Sequence, residues 1–350
     1  MFKRGRYSFV DTFELRNYMK GEPRLGDSMN NGLVSVVVPS YNYASYLEKR
    51  IESILNQTYP NIEIIVIDDY SHDNSVEVLQ KYASHPNIRL VCKDKNEGWI
   101  STNNQGAELA LGEYVLFAQC DDVCDPTMVE RLVESMQQHP SAGVSFCRSL
   151  LVDREGNSLD EDYDGRDVDF KEACKEDVLL SKHQMALFLL NACVIPNLSA
   201  LLIKKECFET IGSFSHDYKV CSDWDWYFRV VERYDVAYIA SPLNHFMQHD
   251  ATIRSSTKDK IIFEEYFRLL LSNIKKIDLS LIERFKVRWR AAGLWSEHLI
   301  APSWAGIVNF PYHLTKVAAL DLLTIALLPI ALIHRLGSVL MKLPSKLVKK

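Results

Sequence analysis

Carboxylates are the side chains here best placed to do chemistry, and they come in three clusters. The segments Ile62–Asp69 (IEIIVIDD) and Glu113–Asp122 (EYVLFAQCDD) each end in two aspartates, and Ser222–Trp226 (SDWDW) carries Asp223 and Asp225. In the first two, an apolar run meets the acidic pair. That pattern describes a buried parallel strand whose carboxyl end opens onto a ligand cleft. Paired carboxylates at such an end repel one another unless a positive charge lies between them, which suits a hard divalent cation and a phosphorylated ligand. Of Asp68 and Asp69, one is expected to cap the following turn and the other to face a ligand. Asp121 and Asp122 are read as the pair that meets the cation, Mg²⁺ or Mn²⁺. Asp225 lies two residues beyond Asp223, so on a helix it cannot share that residue's face and is given a capping or orienting role.

The elements that must hold these clusters alternate along the chain. VSVVVPSYN (Val34–Asn42) predicts a strand broken by Pro39, followed by a helix with Leu47, Ile51, Ile54 and Leu55 on one face. Strands are predicted at Ile62–Ile67, Ile88–Cys92, Tyr114–Ala118 and Val144–Cys147, with helices between them. Asp73 or Asn74 is expected to cap the second helix, and Asp125-Pro126 to act as N-cap and first residue of another. Asp153 to Lys182 is acidic and irregular and reads as a loop or lid. Beyond it come a strand at Ser199–Lys204, helices near Glu206 and from Ser222, a strand at Val236–Ala240, and a loop holding His245 and His249. Helix dominates from Lys258 onward. Strands and helices alternating in this way imply an α/β fold, a doubly wound, mostly parallel, Rossmann-like sheet with a mainly helical C-terminal extension.

Composition excludes other classes. The 350 residues carry a net charge of −6 and 47% hydrophobic residues, which leaves room for a full core but gives no basic face for nucleic acid. The eight cysteines are scattered, mostly inside apolar runs and without a CxxC pair, and read as reduced core thiols of a cytoplasmic protein. Residues 1–32 have no apolar core of the kind a secretory signal needs and are read as an extension before the folded domain.

From Val34 to about Ser255 the chain resembles a family 2 glycosyltransferase, a nucleotide-sugar-dependent enzyme of the GT-A fold. Four stretches carry the resemblance in order: VSVVVPSYN with YLEKRIESILNQTYPNIEIIVIDDYSHDNS, NEGWISTNNQGAELALGEYVLFAQCDD, LLIKKECFETIGSF, and SDWDWYFRVVERY. By this likeness residues 33–257 would form the glycosyltransferase domain, with 33–150 as its nucleotide-binding half and 151–257 as its acceptor half. The resemblance places Pro39, Tyr41 and Asp69 at the base of the nucleotide, typically uracil. It places Asp121 on the ribose and Asp121 with Asp122 on the metal, Mn²⁺ or Mg²⁺, with His249 as a further metal ligand near the diphosphate. Asn104 matches an Asn of the helix behind the nucleotide. Gln119 stands where the family often has the first Asp of its Asp-x-Asp element, which removes one anionic ligand. Asp223 matches the catalytic base that takes the acceptor proton in an inverting transfer.

The implied activity is transfer of a hexosyl or N-acetylhexosaminyl group from a UDP-sugar to a hydroxyl of a saccharide or lipid-linked saccharide, as in bacterial surface polysaccharide assembly. A catalytically degenerate nucleotide-sugar-binding scaffold is the alternative, and Gln119 is its support. A nucleotidyltransferase would need a Gly-rich phosphate loop after the first strand, which PSYNYASYL does not supply. Within the helical region 258–350, Val317 to Ile333 contains one charge, Asp321, and Pro329, while Arg335, Lys342, Lys346, Lys349 and Lys350 follow without an acid. A basic amphipathic segment of this kind suits anionic lipid at a membrane surface better than a full span. The expected location is the inner face of the cell membrane, peripherally bound from the cytoplasm.

Overall fold

The computed structural model describes residues 32–161, 168–248, 257–300 and 305–342. Nearly all of the N-terminal extension, His249 and the last eight residues with their three lysines lie outside them. The elements run β1 (Val34–Ser40), α1 (Ala44–Leu55), β2 (Ile62–Asp68), α2 (Ser75–Gln80), β3 (Ile88–Cys92), α3 (Trp99–Leu109), β4 (Tyr114–Phe117), β5 (Val123–Cys124) and α4 (Met128–Gln138). They continue with β6 (Ala142–Val152), β7 (Ser158–Glu161), α5 (Val168–Ala173), β8 (Val178–Leu180), α6 (Lys182–Asn191), β9 (Leu201–Lys204), α7 (Glu206–Ile211), α8 (Ser222–Val230) and β10 (Asp235–Met247). Five helices close the chain: α9 (Asp259–Lys276), α10 (Leu281–Ile300), α11 (Ala305–Val308), α12 (Phe310–Leu320) and α13 (Leu322–Lys342).

The strands form one sheet in the order β3-β2-β1-β4-β9-β6-β10-β5. β3, β2, β1 and β4 are mutually parallel, as are β6 and β10, while β9 runs antiparallel to both of its neighbours. The unbroken Val and Ile runs of β1 and β2 follow from this setting, because both faces of the sheet are covered. Val37, Ile65, Ile67 and Phe117 belong to one buried cluster; Val34, Val36, Val38, Ile64 and Val66 belong to the other. The second cluster is closed by Leu47, Ile51 and Ile54 of α1 and by Val129, Leu132, Val133 and Met136 of α4. Each such aliphatic side chain, fully buried, contributes roughly 2 kcal/mol. On the first face α3 lies close against β1. A Cβ on Gly106 would stand 2.2 Å from Val37 Cγ1, so only glycine fits there.

Parallel pairing brings the carboxyl ends of β1 to β4 to one edge. The register sets Ser40 opposite Asp68, Asp68 opposite Cys92, and Val37 opposite Phe117. The acidic pairs at the ends of β2 and β4 therefore lie on the same edge, with the end of β1 between them.

Three local expectations change. The stretch from Asp153 to Lys182 is not a bare loop: β7 pairs with β6 and β8 pairs with β10. The segment after Ala240 is strand, because the long β6 supplies partners as far as Met247. Pro242, which cannot donate to the ladder, sits at a register shift where none is needed. The helix after Pro126 begins at Met128 behind the N-cap Thr127, and Asp125 Oδ1 accepts from Thr127 N at 2.9 Å instead of capping the helix.

The C-terminal helices attach to this sheet domain through α9 and α10, both of which pack on α6, and α10 packs along α13. Among the described residues no helix is long and apolar enough to cross a membrane.

Candidate active site

At the end of β2 the two aspartates divide their work. Asp68 closes its own turn, accepting from Ser71 N at 2.9 Å and Ser71 Oγ at 2.6 Å. Asp69 reaches across to the segment after β3. Its Oδ1 accepts from Glu97 N at 3.0 Å and pairs with Lys93 Nζ at 3.1 Å, and its Oδ2 accepts from Gly98 N at 2.8 Å. Gly98 has φ +85°, a left-handed value that favours glycine and turns its amide onto the carboxylate while opening α3. Lys93 follows β3 much as Asp69 follows β2. Sequence reasoning passed over this lysine, although a charge directly after a buried strand is the same signal that marked the aspartates.

The loops after β1 and β2 are knitted together. Asn42 N donates to Ser71 Oγ at 2.8 Å, and His72 N donates to Asn42 Oδ1 at 2.7 Å. Asn42 and Tyr70 both have positive φ, 58° and 70°. This frame leaves the rings of Tyr41 and Tyr70 exposed on either side of His72, with centroids 6.5 Å and 4.9 Å from the imidazole. Pro39 lies behind them, its carbonyl accepting from Cys120 Sγ. An exposed aromatic platform at the carboxyl edge of a parallel sheet is suited to stacking a planar base.

Asp121 and Asp122 follow β4 and differ sharply. Asp121 is half-buried and lines a cleft of about 320 Å³ together with Ser45, Tyr46, Lys49, Arg154 and Met247. Asp122 also borders the cleft but is almost wholly buried. Its Oδ2 accepts from Asn197 Nδ2 at 2.7 Å and its Oδ1 from Met247 N at 3.1 Å. Burial, and then the charge of Asp121, hold the Asp122 carboxyl well above the usual carboxylate range. Asn197 also accepts from Asn244 Nδ2 at 3.2 Å, and Asn244 donates to Ser149 Oγ at 2.9 Å. The acidic pair thus rests on a polar network drawn from β6, β10 and the turn before β9. Arg50 of α1 is fully buried, and none of its guanidinium nitrogens has a hydrogen-bond partner among the described residues. Its positive charge acts on Asp122 against those two effects.

Gln119 donates its backbone N–H to Ser199 Oγ at 3.1 Å, and its side-chain Nε2 is buried with no hydrogen-bond partner among the described residues. Among the described residues no group of three His, Cys, Asp or Glu side chains could hold a metal by itself. The donor set still fits a cation shared with a ligand. Mg²⁺ is ordinarily held by one or two carboxylates, water and substrate phosphates, and Asp121 faces the cleft as such a carboxylate. His249, the further metal ligand expected from the sequence, lies outside the described residues. His245 is in β10, paired across to Val123 of β5.

Asp223 stands in the first turn of α8, whose N-cap is Cys221, so the aspartate is not itself the cap. It is half-buried, and its Oδ1 accepts from Trp224 N at 2.8 Å. Asp225 instead pairs with Arg229 at 3.0 Å, and that guanidinium also donates to Ile211 O and Ser213 O, which binds α8 to the end of α7. Trp224 and Trp226 are buried in the core. Asp223 is not among the residues lining the cleft at Asp121. The loop before it is tied to the Asp69 corner through α3: Gly98 N bonds Asp69, and the next residue, Trp99, donates Nε1 to Lys219 O at 3.2 Å. Asn104 of α3 holds the backbone of Phe214 at both N and O, a structural role.

The chain is similar to known glycosyltransferases in sequence and in fold. The profile described as Glycosyl transferase family 2 matches residues 35–157. Chondroitin synthase of Escherichia coli is 34% identical over 132 residues, which cover 37% of this chain and 19% of that protein. Glycosyltransferase GlyG of Streptococcus pneumoniae is 32% identical over 180 residues, covering 51% of this chain and 59% of its own. The chain therefore spans less than two thirds of the length of either relative. In fold it is similar to Staphylococcus aureus TarS 1–349, solved in complex with UDP-GlcNAc, with a TM-score of 0.63 at 18% identity over 84% of this chain and 83% of that one.

Proposed function

The chain belongs to glycosyltransferase family 2 and has the GT-A fold, and from that premise we propose that it transfers a sugar, with inversion, from a UDP-sugar to a hydroxyl of a saccharide or lipid-linked saccharide. The observation that carries this reading is Asp121 in an open cleft after β4, with the exposed Tyr41 and Tyr70 and the Asp69 carboxylate just beyond the carboxyl ends of β1 and β2 in the same parallel sheet. A nucleotide base stacks on the tyrosine rings. Among the described residues Asp69 Oδ1 is occupied by Glu97 N and Lys93, but Oδ2 has a single donor, Gly98 N, which leaves a lone pair for the base's ring N–H. Asp121 takes the ribose.

Asp121, backed by Asp122, would hold Mn²⁺ or Mg²⁺; when bound, the cation offsets negative charge on the leaving diphosphate. Asp223 accepts the proton of the acceptor hydroxyl as the new bond forms at the anomeric carbon. The protein needs no covalent nucleophile for that single displacement. The kinship with chondroitin synthase supports a product in polysaccharide assembly.

The test is turnover of UDP-sugars with Mn²⁺, either to an acceptor or to water. Asp223→Asn is expected to lower the rate roughly 1000-fold while calorimetry shows unchanged UDP affinity. Unaltered turnover in that variant would remove Asp223 from the mechanism. UDP binding without turnover of any donor in the wild type would favour a nucleotide-sugar-binding scaffold.

A second part of the proposal concerns location. The α13 helix presents Leu322, Leu323, Ile330, Ile333 and Leu336 to solvent, while Thr324, Leu328 and Ala331 face inward. Leu281, Ile282 and Phe285 at the start of α10 are exposed as well. We read the stripe on α13, with the basic residues that follow it in sequence, as a surface that rests on anionic lipid.

A further inference from the structure

The α9 helix lies outside the family match, yet it places a carboxylate against the loop that leads into Asp223. Glu265 is buried on the face of α9 that also carries Leu269 one turn on. It accepts from three successive backbone amides, Lys219 N at 2.7 Å, Val220 N at 2.8 Å and Cys221 N at 3.1 Å. Cys221 is the N-cap of α8, two residues before Asp223. One turn along α9, Arg268 donates to Asp217 O and lies over the Tyr218 ring, 4.0 Å from its centroid. Tyr266 meets Trp224 edge-on at 5.1 Å.

The same stretch is held from the other side by α3, through Asn104 on Phe214 and Trp99 on Lys219, and from within by Ser222 Oγ donating to Ser215 O at 2.7 Å. Three consecutive N–H groups converging on one carboxylate form an anion-binding nest, and the occupant here is a side chain of another element. Charge-assisted bonds of this kind are about twice as strong as neutral ones, so the loop amides take their direction from Glu265. Asp223 projects from the turn that this loop opens.

We propose that Glu265 is a positioning residue for Asp223: from α9 it clamps the amides of residues 219–221 and so sets where the first turn of α8 presents its base. The proposal rests on the glycosyl-transfer reading. Glu265 touches neither donor nor acceptor. The clamp governs the base and leaves the nucleotide platform of Tyr41, Asp69 and Asp121 alone, because none of its contacts reaches that platform directly.

The test compares the full chain with Glu265→Gln and Arg268→Met. The amide retains the shape but only one acceptor oxygen, so it cannot serve all three N–H groups. Either variant is expected to lower kcat for donor turnover about tenfold or more, since misplacing a base by about 1 Å costs on the order of 100-fold. KM for the donor and Kd for UDP should stay within twofold. In the Asp223→Asn background neither change should lower the residual rate further, because the residue through which they act is already disabled. Arg268→Met loosens the same loop while leaving the buried carboxylate in place, so it supplies the answer if Glu265→Gln does not fold. A UDP affinity that falls together with kcat, or an equal fall in the Asp223→Asn background, would show a general structural role and overturn the proposal. An active wild type whose rate both variants leave intact removes this proposal alone. A wild type with neither turnover nor UDP binding removes the glycosyl-transfer reading and the role of Glu265 with it.

Discussion

Tyr41 leaves its ring 39% exposed at the end of a strand whose other side chains are nearly all buried, a cost in apolar surface that a stacked base would recover. Stacking of a base on an aromatic ring is worth about 1–3 kcal/mol. Tyr41→Ala is therefore expected to weaken UDP binding roughly tenfold, measured by calorimetry, with the melting temperature unchanged because the ring packs on little. An unaltered Kd would move the base elsewhere. At this scale the acidic pairs were legible from type and spacing, including the inference that one of Asp68 and Asp69 closes the turn; the structure shows that it is Asp68. The partners that hold the other carboxylates were not legible. Lys93, Asn197 and Asn244 reach Asp69 and the Asp122 network from separate strands and loops, and no local pattern announces a hydrogen bond across 75 residues, the separation between Asp122 and Asn197.

Among elements, α12 carries a group whose charge state depends on burial. His313 stacks on Phe263 of α9, with centroids 3.7 Å apart, and neither ring nitrogen has a hydrogen-bond partner among the described residues. Burial, followed by the positive charges of His298 and Lys260, pushes its pKa down to about 4. A depressed histidine pKa means that the unfolded chain takes up the proton first as pH falls. The stability from a neutral His313 is complete above the unfolded value near 6.5 and is lost as pH drops toward about 4. Urea unfolding at pH 7 and pH 4.5 should show a loss of about 2 kcal/mol in the wild type beyond that seen in His313→Phe, which keeps the stack without the titration. Equal losses in the two proteins would refute the assignment. Helix and strand identities followed from apolar periodicity almost throughout the sheet domain. The misreading of β10 as a strand ending near Ala240 has a definite cause: Pro242 is a breaker locally, and only the partner β6 shows that the ladder continues past it.

For the whole molecule, the exposed stripe of α13 predicts binding to anionic vesicles. The chain should co-sediment with phosphatidylglycerol vesicles, less so as salt is raised, and Ile330→Glu with Ile333→Glu should reduce that binding at least tenfold, since each isoleucine withdrawn from lipid forgoes roughly 2 kcal/mol. A wild type that stays in solution with such vesicles, or a double variant that binds equally well, would refute this surface. The sequence by itself determined the alternation of strand and helix and the edge at which the acids gather, because each rests on spacing within a few residues; the family came from a resemblance carried by four stretches in order. Tertiary structure alone decided that Asp121 is only half-buried in the cleft while Asp122 beside it is almost wholly buried, and that α9 clamps the loop before Asp223. Those outcomes depend on burial and on hydrogen bonds between groups far apart in the chain, and such distances exist only once the sheet has brought them together.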